Sequence, residues 1–259
     1  MLKSEKMRWL KQAASNFFPF LLIIAVWELS IGLGLIKPLF LPAFSVVVQK
    51  LWEITVSGEL IRHFSKTIYR MLLGYTIGAS AAILMGLVIG LFQPVKRFFS
   101  PLIAATYPLP KIALLSLFMV VFGIGDAPII ASIVATASYP ILLNTITGIS
   151  NVDEMLIKAA YNLGATKRQV MTKVVLPGAL PIIFTGLKIG AAVSLIVVVA
   201  VEMYISDSGI GYLLAWATEF FKMPLLYANL IAIGIFGILI FRILDRVEMW
   251  VVPWKEGAK

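Results

Sequence analysis

Six stretches of the chain are apolar over the length of a bilayer, at roughly 17–36, 68–92, 101–122, 128–149, 179–203 and 224–244. A helix needs about 20 mostly apolar residues to cross the hydrocarbon. In lipid a backbone must satisfy its own polar groups. The pattern therefore predicts an all-α integral membrane protein of about six transmembrane helices. Punctuated polar segments lie between them: Lys37-Pro38, Gln93-Pro94, Gly125-Asp126, Ser150 to Gly178, and Asp207 to Pro224. The expected organisation is a tail and first span over 1–40, an interfacial connector over 41–66, a core over 67–248, and a tail over 249–259.

Finer patterning ranks these segments. Gly74/Gly78, Gly86/Gly90 and Gly186/Gly190 recur at four-residue spacing, which lets membrane helices approach closely. The second and fifth spans are thus expected inside a bundle. Prolines at 101, 108 and 110 interrupt the third span. A broken helix is tolerated where protein or a wet cavity satisfies the freed backbone groups, so this span is a candidate pathway element. In the connector, Ser45 is expected to cap a short helix ending before Gly58, with Val46, Val47, Leu51 and Ile54 on its apolar side.

The segment Ser150 to Gly178 predicts two short helices. Ser150 or Asn151 caps the first, with Asp153 and Glu154 in the first turn, where the helix dipole favours acids. Val152, Met155, Leu156, Ala159 and Leu163 form its apolar stripe, and Gly164 supplies the stop. Thr166 caps the second, whose apolar set is Val170, Met171, Val174 and Val175, and Leu176-Pro177-Gly178 ends it. Such stripes need burial, either against the protein's own bundle or in the groove of a partner. The small residues Ala159 and Ala160 would let another backbone come close. Pattern alone leaves both readings open.

Composition agrees with lipid as the main solvent. Of 259 residues 60% are hydrophobic and 14% charged, and mean hydropathy is +0.96. The absence of cysteine removes disulfides and thiolate chemistry, and the single histidine, His63, removes a multi-histidine metal site. His63 is expected at the surface. The net charge of +9 fits no nucleic-acid face, because no soluble basic fold accompanies it; it sorts instead by side of the membrane. With the N-terminus inside, the inside segments carry fourteen Lys and Arg against five outside, which supports N-in and C-in. The basic N-terminal run Lys3, Lys6, Arg8 and Lys11 precedes an apolar stretch too long for a signal peptide, so a retained first span is expected.

The order Ala159-Ala160, Gly164, Leu176-Pro177 resembles the "EAA" loop of permeases of ATP-binding-cassette importers, with Lys158 in place of the Glu. The resemblance extends along residues 41–250. Thr67-x-x-Arg70-x-x-x-Gly74 resembles the start of that family's core domain. Pro108-x-Pro110-Lys111-Ile112-Ala113 with Phe122-Gly123-Ile124-Gly125 is similar to its third-span signature. Val201-Glu202-Met203 with Ser208-Gly209-Ile210-Gly211-Tyr212 is similar to the end of its fifth span. The best fit is the branch importing nitrate, taurine, aliphatic sulfonates and thiamine-precursor pyrimidines. The resemblance implies a type I importer permease fold, a homodimer, two ATPase subunits that receive the loop 150–178, and an external solute-binding protein. It implies ATP and Mg on those partner subunits and no cofactor on this chain. In agreement, a phosphate-cradling G-x-x-x-x-G-K-[ST] loop requires a Gly-Lys pair, and the chain contains none. The coupling residues implied are Lys158, Ala159, Ala160, Gly164, Leu176 and Pro177.

Ionisable groups inside spans cost about 2.5–3.5 kcal/mol on insertion scales and mark contacts or pathways. Glu28 is expected to contact another helix, and Arg70 to snorkel at the outer end of the second span. Lys111 either faces the pathway and attracts an anion, snorkels, or pairs with an acid; Lys188 has the same options. Glu202 belongs to an outer gate or marks the interface. An ion-gradient transporter would want paired acids or inverted repeats at the midplane, an intramembrane enzyme a constellation of reactive side chains; neither pattern is present. A membrane scaffold would explain the glycines but not the structured loop.

Overall fold

The computed structural model describes residues 18–19 and 21–254, and among these every regular element is helical. The N-terminal run Lys3 to Lys11, positions 17 and 20 of the first predicted span, and residues 255–259 of the tail lie outside the described residues. The elements are α1 (Leu21–Gly32), α2 (Phe44–Val56), α3 (Glu59–Leu91), α4 (Gln93–Thr106), a 3₁₀ turn (Lys111–Leu114), α5 (Leu115–Phe122), α6 (Asp126–Ser150), α7 (Glu154–Asn162), α8 (Lys167–Val170), a π turn (Met171–Val175), α9 (Leu176–Ile205), α10 (Ile210–Glu219) and α11 (Met223–Val251).

Four of these helices are long and apolar enough to cross a membrane: α3, α6, the run Lys167–Ile205, and α11. The third predicted span is two arms, Gln93–Thr106 and Lys111–Phe122, bent by 87°. The break falls on Tyr107-Pro108-Leu109-Pro110, where two prolines remove backbone donors; Tyr107 is still helical, and the chain is extended at Pro110. Pro94, expected in a loop, instead lies in the first turn of α4, where a missing N–H costs nothing. The described part of the first span, α1, is apolar but shorter than a bilayer. Six is therefore an approximate count. The second span starts at Glu59 rather than near 68, because Glu59 suits a helix N-terminus and the polar turns after it do not interrupt the helix.

The chain divides into two compact units, one running up to Ile61 with Leu213–Ala232, the other Arg62–Tyr212 with the chain from Ile233 onward. In the first, Val47, Ile54, Ala217, Leu225 and Ala228 form the core, with Trp27 edge-on to Tyr227 at 5.7 Å. Glu28 makes the helix contact expected of it. Its carboxylate accepts from the Ser45 hydroxyl at 2.7 Å and the Ser45 N–H at 3.2 Å. Ser45 is therefore not the cap of α2. It lies within the first turn, and Glu28 answers one of the orphan donors there.

In the second unit, α6 packs against both α3 and α9. A Cβ added at Gly86 would stand 2.6 Å from Cβ of Thr145, and one at Gly186 would stand 2.6 Å from Cβ of Asn144. The two glycine-bearing helices are thus held on α6 at backbone distance. Between them lie Met71, Ile129, Ile133, Val197, Val198 and Val201.

Candidate functional site

The loop after α6 is built from two capped helices. Ser150 remains in α6, and Asp153 is the cap of α7, accepting the Met155 N–H at 2.8 Å. It takes that place from Ser150 or Asn151 because α6 runs through to Ser150 before the chain turns. At the other end, Gly164 adopts φ +81°. Its N–H donates to Tyr161 O at 2.9 Å, and Ala165 N–H donates to Ala160 O at 3.0 Å. This is the paired 5→2 and 6→1 closure of a Schellman stop, which needs a left-handed residue. Thr166 caps α8 in a capping box with Gln169.

Two faces of α7 have different fates. Ile157 and Ala160, with Val152 and Ala165, pack on a cluster of Ile149, Val170, Val175, Ala179 and Ile183. Met155, Leu156 and Leu163 are 75%, 58% and 89% exposed, with Ala159 and Gly164 also open. So the two alanines separate: Ala160 faces the bundle and Ala159 faces out. Lys158 stands exposed and pairs with Glu154 one turn earlier at 2.8 Å. That ammonium, by hydrogen bond and by charge, holds the Glu154 carboxyl below its ordinary range, and Glu154 raises Lys158 in return.

Leu176-Pro177 does not end the second helix. From Lys167 to Ile205 the chain runs as one helical body of 39 residues. Pro177 lies in the first turn of its α portion. The turn before it, Met171–Val175, widens to π spacing. A proline ring clashes with the carbonyl four residues back and lacks an N–H to donate to it. The wider turn accommodates both without breaking the rod.

At the far end of α9 a buried ionic cluster gathers residues from three spans. Glu202 is 0% exposed. Its carboxylate accepts from Arg70 Nη1 at 2.8 Å, Thr67 Oγ1 at 2.8 Å and the Gly211 N–H at 3.0 Å. Arg70, 3% exposed, also donates to Asp126 at the start of α6, at 2.7 Å from Nε, and to the Ser208 carbonyl at 2.7 Å. Arg70 does not snorkel; the two carboxylates and the carbonyl satisfy its fork inside the fold. His63 is buried rather than superficial. Its Nδ1 accepts the Gly209 N–H at 3.1 Å, and its ring stacks on Tyr212 at 5.8 Å. Gly209 has φ +108°, and an added Cβ would meet the Glu202 carboxylate at 2.3 Å; at Gly211 it would meet Val199 O at 2.2 Å. The Ser208-Gly209-Ile210-Gly211 run is thus the part of the chain that must lie flat against Glu202. Sequence reading missed Asp126 and His63 as members. The available signal was that Arg70, Asp126 and Glu202 all sit at span ends assigned to one side.

The other intramembrane cations differ. Lys188 lies between Asp245 and Glu248 of α11, with Nζ 2.5 Å from the Glu248 carboxylate. Lys111 sits at the bend between α4 and α5. It donates to Tyr107 O at 2.5 Å and Thr106 O at 3.1 Å, and lies 3.9 Å from the centroid of the Tyr139 ring. No group of three His, Asp or Glu residues that could hold a metal occurs among the described residues.

Comparison with known proteins gives this geometry its setting. A putative ABC transporter permease protein of Methanocaldococcus jannaschii is 34% identical over 92% of this chain and 91% of its own length. The taurine transport system permease protein TauC of Escherichia coli is 31% identical over 98% and 95%. A putative aliphatic sulfonates transport permease protein SsuC of Bacillus subtilis is 30% identical over 91% and 85%. Among solved structures, the inward-facing MetNI methionine ABC transporter aligns with TM-score 0.62 and 19% identity, over 81% of this chain and 98% of that one; at that identity the likeness is one of fold. The family described as binding-protein-dependent transport system inner membrane component matches residues 74–256. That region holds the bent span, the capped loop and the Glu202 end of the ionic cluster, and it makes the chain a member of this family, a multi-pass permease subunit of an ABC importer and a transport component rather than an enzyme.

Proposed function

We propose that two copies of this chain form the translocation channel of an ATP-driven importer, with α7 and its flanks docking on cytoplasmic ATPase subunits that bind the ATP and Mg. The observation that carries the coupling assignment is the two-faced helix α7. Its inner face is anchored by Ile157 and Ala160, while Met155, Leu156 and Leu163 are left open on a rigid, doubly capped unit. An apolar helix face of this kind suits a groove on a partner. Ala159 and Gly164 supply the small surface there, Lys158 its rim, and Leu176-Pro177 the joint that ties the loop to α9.

The remaining assignments follow from the charge distribution, the relatives' named solutes and the motif resemblance. The fourteen-to-five bias of basic residues supports termini and loop 150–178 on the cytoplasmic side of a bacterial inner membrane. The solute arrives from an external binding protein and is a small sulfonate, taurine, nitrate or pyrimidine type. Lys111 at the bent span lines the route. Lys188, paired to two acids, and Glu202, in the buried cluster, set the shape of the helices beside it.

Co-purification tests the central reading. The tagged chain expressed with a candidate ATPase subunit should bring that subunit down from solubilised membranes. Recovery of the chain without any ATPase, across all candidate subunits of the host, would overturn it.

A further inference from the structure

The ammonium of Lys111 occupies a place that its own contacts do not explain. Tyr139 is near the middle of α6, a 25-residue span, and Lys111 Nζ lies over its ring at 3.9 Å. The charge therefore lies level with the middle of that span. Its partners are all neutral: the carbonyls of Thr106 and Tyr107 and the faces of Tyr139 and Tyr107. Among the described residues no carboxylate pairs with it, whereas Lys188 is held by two. Nor does it run along a helix toward an interface as a snorkelling lysine does; it folds back onto the bend. The surrounding surface is open, with Tyr107 60% and Leu109 58% exposed. Beside it the Thr106 hydroxyl donates to the Leu102 carbonyl at 2.7 Å, and the Tyr139 hydroxyl meets the Thr106 oxygen.

A held but unneutralised cation at that depth is not stable against hydrocarbon. Its open side must meet water or a solute. An ammonium beside the exposed Tyr107 and Leu109 side chains matches an oxyanion carried on a short apolar body. Resting on the permease reading, we propose that Lys111, beside the exposed Tyr107 and Leu109, forms an anion site partway along the translocation route, suited to a small organic sulfonate. The 87° bend at Tyr107 to Pro110 is what brings these groups to one point.

The chain has no native cysteine, so Leu109→Cys gives a single reporter beside the site. Its labelling is measured in proteoliposomes with two methanethiosulfonate reagents, one bearing a sulfonate and one a trimethylammonium. With each rate taken relative to that reagent's rate with a free thiol in solution, a positive, water-filled site should make the sulfonate reagent about tenfold faster, by local enrichment of the anion. Lys111→Met in the same background should bring the two rates together. Methanesulfonate should slow labelling and choline should not. Equal rates indifferent to Lys111→Met would overturn the proposal. So would a cysteine unreactive to both reagents that labels once the chain is denatured. ATPase co-purification is scored on the same variants. Its loss across all of them, parent included, defeats the permease reading, while a normal complex without charge preference defeats only the anion site.

Discussion

Arg70 Nη1 donates to Glu202 Oε1 at 2.8 Å, and both side chains are buried, at 3% and 0% exposure. Taking one charge away leaves the other without its counter-ion in a place water does not reach. Arg70→Met should therefore cost on the order of 3–5 kcal/mol of stability, read as a lower Tm of the detergent-solubilised chain. The double variant Arg70→Met with Glu202→Met should recover part of that loss, since Asp126 is 38% exposed and can turn to solvent. An unchanged Tm in Arg70→Met would show that the pair holds nothing.

Close approach of α9 to α6 depends on the missing side chain at Gly186, where a Cβ would also come within 3.2 Å of Ile141 Cα and Pro140 O. Backbone cannot yield as a flexible side chain does. Gly186→Ala should destabilise by about 1–3 kcal/mol. Gly237→Ala, which meets only Leu195 at 3.5 Å, should be neutral or gain about 0.5–1 kcal/mol from the helix preference. Thermal unfolding of the two variants side by side checks the contrast.

At the loop, Ala159→Trp should weaken ATPase co-purification by about tenfold through a clash in a packed interface, with the chain still inserted. Gly164→Val should do the same by a different route. Its φ of +81° disfavours any branched residue, although no atom lies within 4 Å of an added Cβ. Lys158→Ala, at an exposed ion pair, should leave co-purification near the parent level. Normal binding by the Trp variant would reassign the outer face of α7.

Lys188 answers Glu248, which is 8% exposed at its side chain, and Asp245, which is 55% exposed. Lys188→Met should lower Tm, and Lys188→Arg should restore it. The swap Lys188→Glu with Glu248→Lys should recover stability beyond either single change. If the swap is no better than the single variants, the triad is not what joins α9 to α11.

The periods that announce helices and spans were legible because hydrophobicity is additive along a strip of chain. Gly164 as a left-handed stop and Thr166 as a cap were legible for the same reason: their partners lie within a few residues. What escaped was long-range. Arg70 and Glu202 are 132 positions apart, and nothing local in either segment says that the other exists. His63 read as superficial because its acceptor role depends on Gly209, which is 146 positions away. The opposite error occurred at Pro177. A local rule predicted a break, and a widened turn absorbed it. Ala159 and Ala160 read as one small surface, yet successive residues on a helix point in different directions, and only packing on Ile149 and Val175 separates them.

The unbroken run from Lys167 to Ile205 has a mechanical meaning. At 1.5 Å per residue it is a strut about 58 Å long, with the loop 150–178 at one tip and the Glu202 cluster at the other. On the proposed docking of α7, a push delivered to α8 would meet no break in the helix at Leu176-Pro177. It would then be carried along the strut to the Arg70 clamp at the opposite tip, which would have to rotate with it or let go.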